Sequence, residues 1–204
     1  IGMSSFLMLL SASIVISILN LSLRKYGGDY AIGAFGIISS IGNLTVMVVI
    51  GFNQGMQPIV GYNYGARQIP RVLRTFKLTI LAGTCVTFLG FLLAEIFPEQ
   101  ISLAFTNNSE LIKLSVNGMR LNMMMFPIVG FQIVASSFFQ SIGKAKVSIY
   151  LSLTRQVVFL IPALLILPHF LGLNGVWLGG PVADLTSSLL TLFVLKWQLK
   201  KLHL

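Results

Sequence analysis

Arg155 and Asp184 stand deep inside long apolar stretches of this 204-residue chain, where no other ionisable side chain with charge at neutral pH is found. Arg155 lies eight residues after the start of the run Val147–Leu167, and Asp184 lies eleven residues before the end of the run Val176–Leu195. If both runs are helices crossing a bilayer, these depths are ~12 Å and ~17 Å from one face. The difference of ~5 Å is within the span of an arginine side chain. A charge at such depth is disfavoured by ~2.5–3.5 kcal/mol on insertion scales, so opposite charges on adjacent antiparallel helices are expected to meet. Three roles stay open for the buried ion pair: a static clamp, a switch that breaks between two conformations, or direct binding of an ion or substrate.

Covalent chemistry is not expected. A hydrolase or acyltransferase within an apolar bundle needs a mid-span nucleophile beside a His or a paired carboxylate, and both histidines, His169 and His203, lie at run ends. Their placement also argues against a metal centre or any cofactor. Polar residues instead recur at helical spacing: Ser13, Ser17 and Asn20; Gly36, Ser40 and Asn43; Gln132, Ser136 and Gln140. Such stripes avoid lipid and face either water or other helices. The Asn and Gln positions, with two serines on the same stripes, are read as cavity-facing, giving Ser17, Asn20, Asn43, Gln54, Gln57, Gln132, Ser136 and Gln140 as candidates. The row Gly179, Ala183, Ser187 is read as a packing face, and so are Cys85 and most of Met123-Met124-Met125.

The elements that must hold these residues are six apolar runs: Met3–Leu23, Ala31–Phe52, Phe76–Phe97, Leu121–Ile142, Val147–Leu167 and Val176–Leu195. Each has about 20 residues, enough to cross ~30 Å of hydrocarbon as a helix. With 55% hydrophobic and 9% charged residues, the chain lacks the polar surface of a soluble domain. An all-α integral membrane protein of six transmembrane helices is expected, with helices at about 3–23, 31–60, 76–97, 112–142, 147–167 and 176–195. Gly27-Gly28 marks a hairpin, Pro98–Leu111 forms the longest outer connection, and Pro58, Pro127 and Pro162 predict kinks.

The net charge of +9 does not form a stripe for nucleic acid; it alternates by membrane side. Arg67, Arg71, Arg74, Lys77, Lys144, Lys146, Lys196, Lys200 and Lys201 fall on one side with no acid among them, whereas the other side balances four basic residues with four acidic ones. By the positive-inside rule the first side is cytoplasmic, and an even number of spans puts both ends there, in a bacterial inner membrane. Trp177 and Trp197, 20 residues apart, are expected in the aromatic belts at the two interfaces. The chain opens on Ile1 and shows no signal peptide, so it is expected to be a piece of something longer.

The segment Gly51-Phe52-Asn53-Gln54-Gly55-Met56-Gln57-Pro58-Ile59-Val60-Gly61-Tyr62-Asn63-Tyr64-Gly65-Ala66, with Arg67 and Arg74 beyond it, resembles the seam between the second and third helices of the C-terminal half of multidrug and toxic compound extrusion (MATE) transporters. Gln140-Ser141-Ile142-Gly143-Lys144-Ala145, Arg155-Gln156 with Pro162, and Gly172-Leu173-Asn174-Gly175-Val176-Trp177-Leu178 are similar to the same family in the same order. The resemblance covers essentially the whole chain. It implies one six-helix lobe of a twelve-helix antiporter, with the N-terminal lobe as partner and the lipid bilayer as surroundings. It also implies export of small organic, often cationic, compounds against H⁺ or Na⁺ through a cavity between lobes.

The chain departs from part of that pattern. Some members carry ion-coupling acids in the first and fourth helices of this lobe, and here Met3–Leu23 and Leu121–Ile142 contain no Asp or Glu. The coupling carboxylate then belongs to the other lobe or is Asp184. The rival readings are a flippase for lipid-linked saccharides, which needs basic residues lining a cavity, and a passive channel or non-transporting membrane subunit.

Overall fold

The computed structural model describes residues 2–202, with side chains from Leu10 onward except those of Leu199, Lys201 and Leu202; His203 lies outside the described residues. All regular structure among them is helical: α1 (Gly2–Gly65), α2 (Ile69–Ile96), α3 (Pro98–Leu103), α4 (Ser109–Met123), α5 (Phe126–Ser141), α6 (Ala145–Leu153), a π-helical turn (Thr154–Leu160), α7 (Ile161–Leu171) and α8 (Leu173–Leu202). Four stretches are long and apolar enough to cross a membrane: Leu10–Gly65, Ile69–Ile96, Ala145–Leu171 and Leu173–Gln198. The bent pair α4 and α5 makes a fifth if taken as one span.

The 64 residues of α1 would extend ~96 Å if straight, about three times the hydrocarbon thickness. Its helical path breaks at Gly28, where φ is 68° and ψ is −165°. An L-residue with a side chain adopts that backbone only under strain, and no atom stands within 4 Å of where a Cβ would be, so conformation rather than space selects glycine. The hairpin expected at Gly27-Gly28 thus contracts to a break at one residue. The kink expected at Pro58 is not a break in the helix: α1 continues through Pro58 to Gly65, with Pro58 and Gln54 both exposed, so the carbonyl that loses its donor lies on an open face.

The other two prolines do interrupt their helices. Pro127 sits in the first turn of α5, where its missing N–H removes no intrahelical bond, and α4 and α5 meet across Met124–Met125 at 51°. Pro162 has no N–H for the carbonyl four residues back and its ring crowds that carbonyl. Just before it the chain widens into the π-helical turn, with the Ile161 N–H donating five residues back to the Gln156 carbonyl. In the outer connection, Pro98 opens the six-residue α3, and Asn108 caps α4 by accepting from the N–H groups of Glu110 and Leu111 at 3.0 and 3.1 Å.

Two apolar clusters hold the helices together. One joins Leu23, Ile38, Met119, Met123, Leu164 and Trp177; the other joins Val49, Met56, Phe76, Phe138, Phe139 and Leu195, with the Phe76 and Phe138 rings stacked at 4.1 Å. Two expectations are corrected here. Trp177 is fully buried over Gly118 in the first cluster rather than placed in an interfacial belt, because α8 begins at Leu173 and carries that residue into the helix bundle. Cys85 is exposed: on α2 the packed face is Gly83, Thr87 and Gly90, and Cys85 falls between these rows. The outward faces carry large apolar side chains such as Leu44, Leu81, Leu189 and Phe193, as contact with lipid requires.

The α2–α5 contact depends on small residues. A Cβ on Gly130 would stand 2.5 Å from the Gly83 carbonyl oxygen, and Thr87 Oγ1 donates across the same contact to the Pro127 carbonyl at 3.1 Å. Gly130→Ala therefore forces the helices apart and lowers stability by about 1–3 kcal/mol. Gly36→Ala, where no atom would lie within 4 Å of the added Cβ, leaves stability nearly unchanged. Thermal unfolding of both variants in detergent checks this, and equal stability of the two contradicts the packing argument.

Candidate functional site

Asp184 is carried on the inward stripe of α8, where Trp177, Pro181, Asp184, Ser188, Thr191, Leu195 and Gln198 are all buried at spacings of three and four. Arg155 comes from the π-helical turn. Its Nε and Nη2 both donate to Asp184 Oδ1, at 2.7 and 2.6 Å. The carboxylate side chain is 10% exposed and the arginine side chain 34%. The guanidinium is thus half-withdrawn from solvent, and the carboxylate depends on it for its charge partner.

The pair stands between two cavities. The first, a crevice of about 230 Å³ between α5 and α6 with the π turn, is lined by Gln132, Ser136, Gln140, Ser148, Ser152, Arg155 and Gln156 among others. The second, about 360 Å³, is largely apolar; Phe35, Ile38, Phe126 and Leu160 line it together with Asn43, Asn122, Arg155 and Asp184. Both share Val129, Ile133 and Arg155. Extra width in the π turn lets consecutive residues, Arg155 and Gln156, face one crevice.

Of the residues singled out from sequence, Gln132, Ser136, Gln140 and Arg155 come together in the crevice, and Asn43, Arg155 and Asp184 in the apolar cavity. Gln132 is buried and its Nε2 donates to Ser187 Oγ, which draws α8 to α5. Ser17, Asn20, Gln54 and Gln57 line neither cavity. Ser17 Oγ donates to the Ser13 carbonyl at 3.0 Å within its own helix, and Gln54 is exposed. Sequence reasoning missed Ser148, Ser152, Gln156 and Asn122. The Ser148–Ser152 spacing of four and the Gln beside Arg155 were the available signals; the π turn that brings them round was not legible. It also passed over Asn53, buried on the stripe Val49, Asn53, Met56, Val60 with neither amide atom bonded.

Among the described residues no group of three or more His, Cys, Asp or Glu side chains comes together. The arrangement provides a neutral ion pair between a hydrogen-bonding crevice and an apolar chamber. It suits reversible, noncovalent binding of small molecules.

Removing one member of the pair leaves the other charge buried and uncompensated. Asp184→Asn or Arg155→Gln is expected to lower stability by on the order of 1–3 kcal/mol, with hydration of the crevice relieving part of the effect. The double substitution recovers much of that loss. A double-mutant cycle on thermal stability in detergent measures the coupling, and strictly additive losses contradict a direct interaction.

The sequence profile of the MatE family matches residues 3–165. Over 194 residues the chain is 22% identical to the multidrug export protein MepA of Staphylococcus haemolyticus, an alignment spanning 95% of this chain and 42% of that protein. Among solved structures, it matches an inward-facing multidrug resistance MATE family transporter of the MOP superfamily with a TM-score of 0.92 and 22% identity, over 100% of this chain and 47% of that one. The MATE multidrug transporter DinF-BH, solved as a complex, is 40% identical with a TM-score of 0.83, over 96% of this chain and 44% of that one. The chain thus spans a little under half the length of the proteins it matches. With the profile covering most of its residues and the fold shared throughout, the chain belongs to the MatE family of multidrug and toxic compound extrusion transporters.

Proposed function

We propose that this chain is the C-terminal lobe of a twelve-helix secondary transporter that exports small organic, mainly cationic, compounds in exchange for H⁺ or Na⁺. In this reading the break at Gly28 divides α1 into two spans and the bent pair α4–α5 forms one, so that the lobe has six. An N-terminal lobe supplies the opposite wall of the cargo cavity. The basic residues beyond Gly65 and around Lys144 set both ends of the lobe in the cytoplasm of a bacterial inner membrane.

The observation that carries this reading is the charge lining the two cavities: among the described residues Arg155 is the one basic side chain that faces either, and Asp184 neutralises it. A cavity without free positive charge, walled by Phe35 and Phe126, suits an aromatic cation. A flippase for lipid-linked saccharides has to meet a diphosphate with unpaired basic side chains, and the residues lining these cavities offer none. With no Asp or Glu in Met3–Leu23 or Leu121–Ile142, the carboxylate that binds the coupling ion comes from the other lobe or is Asp184.

Efflux of ethidium from cells tests the reading. Cells making residues 1–204 alone are expected to match empty-vector controls, since a cavity between lobes needs both walls. Joining the chain to an N-terminal six-span unit restores efflux that collapses with the ion gradient. Robust gradient-driven efflux by residues 1–204 alone, or efflux indifferent to the gradient, contradicts it.

A further inference from the structure

The crevice beside Arg155 differs in kind from the apolar chamber next to it. Eight of its ten lining residues carry polar side chains, and none is Asp, Glu or His. Two of them bring unsatisfied acceptors: Gln132 Oε1 and Gln156 Oε1 are buried with no hydrogen-bond partner. Gln132 is itself only 5% exposed. Buried acceptors are seldom left unbonded, so two of them on residues that line one crevice mark a place where a donor belongs.

The charge arrangement narrows which donor. Arg155 lines both cavities but Asp184 lines only the chamber, so the carboxylate faces the chamber beside the guanidinium and the crevice meets the guanidinium alone. An ammonium group in the crevice would meet the guanidinium with no carboxylate to offset it. A neutral hydroxyl or carboxamide meets no such opposition, and the serines at 148 and 152 complement it on the facing wall. The volume of about 230 Å³ admits a short polar arm rather than a ring system of drug size.

We infer that the crevice is a cargo subsite for a neutral, hydrogen-bond-donating group, hydroxyl or carboxamide, whose apolar cationic body occupies the adjoining chamber at Asp184. The inference rests on the proposed export of organic compounds and adds a preference within that class: amphiphilic cations with a polar neutral arm over purely apolar ones. Water alone is the competing occupant of the same acceptors.

A matched pair of probes separates these cases. A triphenylphosphonium bearing a 2,3-dihydroxypropyl arm and one bearing a butyl arm have the same charge and similar size. Binding of each to the purified full-length protein is measured by equilibrium dialysis. The expected result is a roughly 5- to 30-fold preference for the dihydroxypropyl probe, as one or two net hydrogen bonds give. The preference falls to about one in Gln132→Leu and in Gln156→Leu. Ser152→Ala, which removes one hydroxyl and adds no bulk to the crevice, reduces it in part and covers the case in which a Gln variant fails to fold. Equal binding of the two probes overturns the subsite while leaving export of cations standing. A preference that survives all three substitutions overturns it too, with water as the occupant. Failure of both probes to bind overturns the subsite and the export reading on which it rests.

Discussion

A charge cannot stand alone in hydrocarbon, and among the described residues the interior of this helix bundle is arranged around the place where Arg155 and Asp184 meet. Asp184 is on the inward stripe of α8, and Arg155 reaches it with two nitrogens on one carboxylate oxygen. With the pair neutral, the surrounding helices can leave open space on both sides of it instead of closing over an apolar core. The Gln132–Ser187 contact reinforces the same α5–α8 junction. The pair thus fixes where α8 lies against α5 and the π turn, and so where each cavity begins.

The helix interruptions place that pair and shape the cavities. Pro162 denies its helix one hydrogen bond, the preceding residues open into a π turn, and the turn brings Arg155 and Gln156 to the same wall. The bend between α4 and α5 sets Met123 and Phe126 against the apolar chamber. Gly83 and Gly130 draw α2 and α5 together on the far side. Close helix contact thus lies on one flank and interrupted helices, which carry the cavity-lining polar groups, on the other.

Much of this was legible in the sequence because hydrocarbon imposes strict rules. The apolar runs, the deep position of Arg155 and Asp184, and the Gln132–Ser136–Gln140 stripe all follow from length and spacing, and the structure brings the last three residues and Arg155 to one crevice. What spacing could not give was the register of helices against one another. Trp177 sits at a run end and reads as an interface residue, yet α8 starts early enough to bury it over Gly118. Ser17 and Asn20 share a helix face, but nothing in their spacing tells whether a cavity lies beside it. Ser152 and Gln156 belong to the crevice only because of the π turn, a local change of pitch that a 3.6-residue period does not anticipate.

A structure of the full-length protein carrying Asp184→Leu tests most directly the claim that the ion pair keeps the two cavities apart. Without its partner, Arg155 is predicted to turn into the crevice and donate to Gln132 Oε1 and Gln156 Oε1, joining crevice and chamber across Val129 and Ile133. An Arg155 side chain that keeps its direction toward position 184, between two cavities unchanged in outline, would contradict the account.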